Sequence, residues 1–285
     1  MRVIRDPARA SVWSRTLHRE GIRIGMVPTM GALHAGHRAL IRAARLACDA
    51  VAVSIFVNPT QFGPTDNWSG YPRSFARDTK ACLDEGVDLL FAPSVGQMYP
   101  EGFQTEVHVP RLAERWEGAA RPGHLSGVAT VVTKLLATLL PDRAYFGQKD
   151  FQQAAVVRRL VTDLNLPSKI VVCRTVRESD GLALSSRNVL LTTVQRTSAT
   201  ILYRALSAGA RLIHTRTGSA RSVNNTMRRV CRSAPGVTVD YLAVCDPQTL
   251  EPLSRLKGRS VVLLGAIRIG SVRLIDNLVV PVPHR

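Results

Sequence analysis

The run Pro28-Thr29-Met30-Gly31-Ala32-Leu33-His34-Ala35-Gly36-His37 limits the possible folds of this chain more than any other stretch. Ahead of it, Ile22–Val27 alternates apolar residues and reads as a strand. Behind it, from Arg38 to Cys48, Leu40, Ile41, Ala44 and Leu46 recur at roughly helical spacing. A strand, a glycine-bearing turn and a helix start form the place where an α/β sheet receives phosphate, because N–H groups at a helix N-terminus carry partial positive charge. His34 and His37 flank Ala35-Gly36, and Gly36 lets the backbone approach a ligand closely. Two imidazoles so placed can donate hydrogen bonds to phosphate oxygens. Zinc is the weaker rival, since no Cys, Asp or further His lies nearby to complete a ligand set.

The rest of the chain repeats the alternation. Val51–Val57 reads as a buried strand that ends in Asn58-Pro59-Thr60-Gln61-Phe62-Gly63-Pro64. Ligands of open α/β sheets bind at that strand edge, where Asn58 and Gln61 offer neutral donors and acceptors to hydroxyl and carboxylate groups. A helix over 74–85, a strand over 89–92, a helix over 126–140 and a strand over 143–146 follow. Next come Gly147-Gln148-Lys149-Asp150, a helix over 151–163 and a strand over 169–173. Lys149, one of five lysines in an arginine-rich chain, can neutralise phosphate at a helix start. Asp150 fits the helix cap, and Gln153 lies one turn on. Asp180–Asn188 is a second polar loop in which Ser185, Ser186 and Arg187 suit a triphosphate. Beyond it, one helix over 192–212, another over 220–231 and strands over 237–244, 261–269 and 272–275 suggest a second domain. The expected fold is α/β: a Rossmann-like parallel sheet over residues 1–175, followed by a smaller α+β domain over 176–285.

Charge raises one competing class. Thirty-eight Lys and Arg face 21 Asp and Glu, a net of +17. Such a chain attracts polyanions, so nucleic-acid binding has to be weighed. The arginines are dispersed, however, with no basic run interleaved with aromatics, and no specific nucleic acid is expected. No apolar run reaches the roughly 18 residues that a membrane span needs. Five scattered cysteines without a Cys-x-x-Cys fit reduced thiols and a cytoplasmic location. There is no Ser-His-Asp pattern and no evident covalent nucleophile.

His-x-Gly-His behind a first strand resembles the nucleotidyltransferase superfamily, which includes class I aminoacyl-tRNA synthetases. Four blocks together resemble the pantothenate synthetase (pantoate–β-alanine ligase) family more narrowly. They are Pro28–His37; Asn58–Gly63 with Tyr71-Pro72-Arg73; Arg121-Pro122-Gly123-His124 to Lys134 with Gly147–Gln153; and Thr175-Val176-Arg177-Glu178 to Asn188. Leu274-Ile275-Asp276-Asn277 is also similar. The resemblance implies ATP-dependent condensation of (R)-pantoate with β-alanine through pantoyl adenylate, with Mg²⁺ accompanying ATP, in a homodimer. It assigns Met30, Gly31, Ala32, Leu33, His34, Ala35, Gly36 and His37 to ATP, together with Gly147, Gln148, Lys149, Asp150, Val176, Leu184, Ser185, Ser186 and Arg187. His37 would be the proton donor, with His34, Lys149, Ser185 and Arg187 stabilising charge on the phosphoryl oxygens. Gln61 and Gln153, with Asn58, would hold pantoate and β-alanine, and the second domain would act as a lid.

Three departures from the family pattern stand out. Gln148 replaces an acid in the usual Gly-Glu-Lys-Asp. An acidic pair that serves magnesium in relatives is here Arg77-Asp78, leaving Asp78 as the one metal-ligand candidate. Thr192-Thr193-Val194 lacks the usual proline and first-turn acid, which predicts a weaker helix start. Two other functions compete: a nucleotidyltransferase acting on a phosphorylated small molecule, and a nucleic-acid-binding protein built on a nucleotide fold. The first lacks a second cationic cluster for the substrate phosphate. The second predicts salt-sensitive binding to DNA or RNA.

Overall fold

Asp6 and Pro7 begin the first helix: Asp6 accepts the Arg9 N–H at 2.8 Å, and Pro7 occupies the first turn, where its missing N–H costs nothing. This helix, α1 (Pro7–Arg19), follows a short strand β1 (Arg2–Ile4). Neither is among the elements expected above. The computed structural model describes residues 1–63, 68–256 and 260–283. Pro64, at the end of the second strand's loop, lies outside them.

The chain continues through β2 (Ile24–Thr29), α2 (Ala35–Ala47), β3 (Ala50–Ile55), a 3₁₀ turn (Pro59–Gln61), α3 (Phe75–Asp84) and β4 (Leu89–Phe91). Three one-turn helices follow, α4 (Val95–Met98), α5 (Pro110–Ala113) and α6 (Glu117–Ala120). Then come α7 (His124–Leu139), β5 (Arg143–Gly147), a 3₁₀ turn (Gln148–Asp150), α8 (Phe151–Asp163) and β6 (Lys169–Cys173). The six strands pair in parallel in the order β1-β4-β3-β2-β5-β6. Strand order reverses at β2, with β3 on one side and β5 on the other, so the crevice favoured for ligands opens beyond the C-terminal end of β2. Val27, Val51, Val53 and Leu90 from the strands pack with Leu40, Ile41 and Ala44 of α2 into one core. Helix α7 is the most deeply buried, with Leu125, Val128, Ala129, Leu135, Leu136 and Leu139 all inside.

A 3₁₀ turn (Ser186–Leu190) leads into α9 (Thr193–Ala199), α10 (Ile201–His214) and α11 (Ala220–Arg232), then into an antiparallel sheet β7 (Val237–Cys245), β8 (Ser260–Ile269) and β9 (Val272–Pro281). Leu202, Leu206 and Ile213 of α10 and Val223 and Met227 of α11 pack on Leu242, Leu263 and Ile267 of this sheet. The single helix expected over 192–212 is two. Thr197 donates to the Thr193 carbonyl and Thr200 to the Thr197 carbonyl, and such hydroxyl–backbone bonds compete with the helical ladder where α9 ends. The expected weak start at Thr192 is corrected by a capping box: Thr192 accepts from the Gln195 N–H, and Gln195 returns its Oε1 to the Thr192 N–H at 3.0 Å. Strand β9 runs past the expected Ile275, because it pairs with β8 along its whole length.

The chain forms two compact units, Met1–Gln148 with Gln152–Arg174, and Lys149–Phe151 with Thr175–Arg285. These differ from the expected division after residue 175 chiefly in the tripeptide 149–151, where Asn277 Nδ2 donates to the Lys149 carbonyl at 3.0 Å. Among the described residues no helix is long and apolar enough to cross a membrane.

Candidate active site

In the first unit the turn after β2 is built by a buried carboxylate. Gly31 and Ala32 both have left-handed backbone, at φ +84° and +51°. This conformation is natural for Gly31 and costs Ala32 roughly 1–2 kcal/mol. Asp78, 1% exposed on α3, accepts the Ala32 N–H and the Leu33 N–H, each at 2.8 Å. Thr29 secures the other side, accepting the Gly31 N–H at 3.1 Å and donating to the Ser54 carbonyl at 2.7 Å. The Asp78 charge also shows in its neighbour Cys82, whose thiol is pushed up to about 12 by burial and then by that charge. Met30, Gly31 and Asp78 share with Phe56, Arg73 and Phe75 a cavity of about 670 Å³, partly open to solvent.

The two histidines cap α2 and each other. Gly36 N–H donates to His34 Nδ1 at 3.1 Å, and His34 N–H donates to His37 Nδ1 at 3.3 Å. Their rings lie 4.1 Å apart at 35°. Accepting through Nδ1 places the neutral-ring proton on Nε2 of both residues, making each Nε2–H a donor. The Ala32 and Leu33 N–H groups serve Asp78, and the capping box takes first-turn donors of α2.

Around Gln61 the loop is held from three sides. Asn58 is fully buried: Nδ2 donates to the Gly127 carbonyl at 3.1 Å, while Oδ1 accepts from Thr60 and from the Tyr99 hydroxyl. Asn58, expected at the substrate, is thus buried and bonded within the protein, which shapes the loop. Burial raises the Tyr99 phenol, with its bonds to Thr60 and Asn58 opposing. The Gln61 carbonyl accepts from His124 Nδ1 at 2.8 Å and from Arg121 Nη2 at 3.2 Å. Gln61 is itself buried, and Gln153 is half-buried in the first turn of α8. Its neighbour Gln152 is buried and bonds Glu117 N–H and the Leu112 and Arg115 carbonyls. Arg121, His124 and Gln152 are supporting residues that the sequence marks only through the Arg-Pro-Gly-His run and the paired glutamines.

In the second unit Lys149, Ser185 and Arg187 line one cavity of about 380 Å³, with Asn188, Tyr203 and Arg273. Lys149 Nζ lies 3.3 Å from Asp150 Oδ1. Ser185 accepts the Arg187 N–H at 3.3 Å and so caps the 3₁₀ turn. Val176 and Leu184 close a small hairpin, with Leu184 N–H on the Val176 carbonyl at 3.0 Å. Arg177 organises it, reaching Asp276 in a bidentate pair at 2.6 and 2.9 Å, donating to the Gly181 carbonyl and stacking 4.2 Å over Tyr203. Burial pushes the Asp276 carboxyl up, against the pull of Arg177 and the Asn277 N–H. Asp180 is lowered by Arg196, which bridges it to Glu178. Gly147 ends β5, and Gln148 begins the following 3₁₀ turn. Among the described residues no group of three or more His, Cys, Asp or Glu stands where it could hold a metal ion.

Known proteins carry the same architecture. The chain is 50% identical over 279 residues to pantothenate synthetase of Koribacter versatilis (strain Ellin345), covering 98% of this chain and 96% of that one. It is 52% identical over 262 residues to the enzyme of the same name from Moorella thermoacetica, covering 92% of each. The crystal structure of pantothenate synthetase from Thermus thermophilus superimposes with a TM-score of 0.92 at 48% identity, covering 98% of this chain and 99% of that one. That of pantoate-beta-alanine ligase from Francisella tularensis, complexed with beta-gamma ATP and beta-alanine, gives 0.80 at 35% identity, covering 98% and 97%. The sequence model of pantoate-beta-alanine ligase matches residues 2–279. A histidine-capped helix behind the central strand, set in a fold and sequence shared from end to end, makes this chain a ligase of the pantoate–β-alanine ligase family.

Proposed function

We propose that this chain joins (R)-pantoate to β-alanine in two steps driven by ATP, taken as its Mg²⁺ complex. A pantoate carboxylate oxygen attacks the α-phosphorus, the bond to the leaving phosphate breaks, and pantoyl adenylate and pyrophosphate form. The β-alanine amine then attacks the acyl carbon and gives up a proton as the C–O bond to AMP breaks, and pantothenate and AMP leave. Charge grows on phosphoryl oxygens in the first step. His34 and His37 Nε2–H donors, the Lys149 ammonium, the Ser185 hydroxyl and the Arg187 guanidinium are assigned to it, which makes this positioning and electrostatic catalysis without an acyl-enzyme. Nucleotide contacts are assigned to residues 30–37 and 147–150, and to Val176 and residues 184–187. Gln61 and Gln153 are assigned to pantoate, with Gln61 also near β-alanine.

The observation that carries this reading is the reciprocal capping of His34 and His37, which orients both rings before any ligand arrives. Five free cysteines fit a reducing, cytoplasmic setting. The test is pantoate-dependent pyrophosphate release from ATP and Mg²⁺, without and then with β-alanine. Turnover should need both substrates, and His37→Ala and Lys149→Ala should each lose on the order of 100-fold or more in kcat. Folded parent enzyme that releases no pyrophosphate in response to pantoate would refute the assignment.

A further inference from the structure

We propose that Asp78 is a positioning residue for the proposed reaction: it is the internal anion around which the histidine-bearing turn folds, and it does not ligate a metal. This rests on the reading of the site as an ATP-using centre.

The geometry is that of an occupied anion site. The turn at Gly31 and Ala32 brings two consecutive backbone N–H groups, those of Ala32 and Leu33, to one carboxylate, and turn concavities lined by backbone N–H groups bind anions. Here the anion belongs to the protein. Asp78 Oδ2 accepts from Ala32 and Oδ1 from Leu33, both at 2.8 Å, across 46 and 45 residues of chain. Each oxygen is engaged by its own backbone donor, and the residue is 1% exposed. The fit extends to Gly31, where an added Cβ would lie 3.0 Å from Asp78 Oδ2 and 3.2 Å from Ile55 Cγ2.

The alternative role, metal ligation, does not suit these residues. A hard dication wants several oxygens around it. The residue before Asp78 is the cation Arg77, and the carboxylate points at amide protons. Without the carboxylate, the Ala32 and Leu33 N–H groups lose their acceptor, and Ala32 has nothing to hold it in a left-handed conformation. Leu33 leads directly into His34, so relaxation of the turn carries both imidazoles away from the reacting phosphoryl group. A displacement of about 1 Å at a reacting centre can cost about 100-fold in rate.

Asp78→Asn keeps the shape of the side chain but sets an NH₂ against one of the two N–H donors. Measured by pantoate-dependent pyrophosphate release beside the parent, it should lose about 100-fold in kcat. The pantoate KM and the half-saturating Mg²⁺ concentration should each stay within about twofold. Adding Ala32→Gly, which removes the cost of the left-handed backbone, should recover part of kcat in the Asp78→Asn background, read against Ala32→Gly alone. A metal ligand predicts the reverse: Asp78→Asn would raise the Mg²⁺ requirement tenfold or more, recover kcat at saturating Mg²⁺ and gain nothing from Ala32→Gly. Should Asp78→Asn fail to fold, water-proton relaxation of Mn²⁺ with the nucleotide-free parent decides. No enhancement below millimolar Mn²⁺ supports the proposal, and tight binding overturns it. Unchanged kcat in folded Asp78→Asn also overturns it. An inactive parent would count against the proposed function instead, so the two failures are distinguishable.

Discussion

Single residues in this protein act through partners far along the chain. Arg177 shows how much one side chain can carry, since its guanidinium neutralises Asp276, braces the Gly181 turn and packs on Tyr203. An added Cβ at Gly181 would lie 2.2 Å from the Tyr203 ring, so the turn has no room to adjust toward that side. Removing the cation strands a carboxylate whose side chain is 4% exposed. Arg177→Met should therefore destabilise the second unit by about 3–5 kcal/mol, read by urea denaturation. The double variant Arg177→Met/Asp276→Leu should regain most of that loss, because a buried ion pair replaced on both sides loses little. A double variant as unstable as the single would show that shape, and not the stranded charge, sets the cost. Such pairs were not legible in the sequence: Arg177 and Asp276 lie 99 residues apart, and each alone reads as a solvated charge.

At the scale of elements, the site depends on how closely two of them approach. Gly127 of α7 lies against the Thr60 backbone, where an added Cβ would be 2.3 Å from the carbonyl oxygen. Gly127→Ala should push the Asn58–Gln61 loop outward and raise the pantoate KM about tenfold or more, with a smaller effect on the ATP KM, by the same sensitivity of catalysis to small displacements. Equal changes in both constants would argue that the whole unit had loosened. Helices α2 and α3 are joined at Glu85, the C-cap of α3, which accepts from Arg42 and Arg38. The Arg42 hydrogen bond, against desolvation, leads in holding the Glu85 carboxyl below its usual value. A carboxyl with a lowered folded pKa favours folding while it is ionised. Its contribution is complete above the unfolded value near 4.3 and is lost as pH falls through the folded value. In thermal melts Glu85→Gln should fall furthest below the parent near pH 7, and the two should converge in acid below about pH 4. A constant difference across that range would remove Glu85 from the acid response. Apolar periodicity revealed α2, α3 and α7 to within a few residues, because their buried faces repeat at helical spacing. It missed α1, whose signal is the Asp6-Pro7 cap, and it could not show that a hydroxyl run divides α9 from α10.

For the whole molecule, the net charge of +17 has a kinetic consequence. ATP and pantoate are anions, and a strongly positive protein concentrates them until salt screens the field. The kcat/KM for ATP should fall as ionic strength rises from about 0.01 M to above 0.15 M, where the Debye length shrinks from about 30 Å to below about 8 Å, while kcat changes little. A flat profile would show that the arginines act only as surface charge. Two features of the molecule were readable before its structure. The alternation of strands and helices requires a parallel sheet, and His-x-Gly-His behind a central strand points to phosphate chemistry, because both depend on neighbours within a few residues. Tertiary structure alone decided which distant polar groups bond one another within the protein. It buried Asn58 as a brace of its loop and set the Asp78 carboxylate against the Ala32 and Leu33 N–H groups. Those outcomes rest on hydrogen bonds spanning 41 to 69 residues for Asp78 and Asn58, and on burial that removes water as a competing partner. Local sequence carries propensity and spacing, whereas the satisfaction of a buried polar group is known only once its partner has been folded against it.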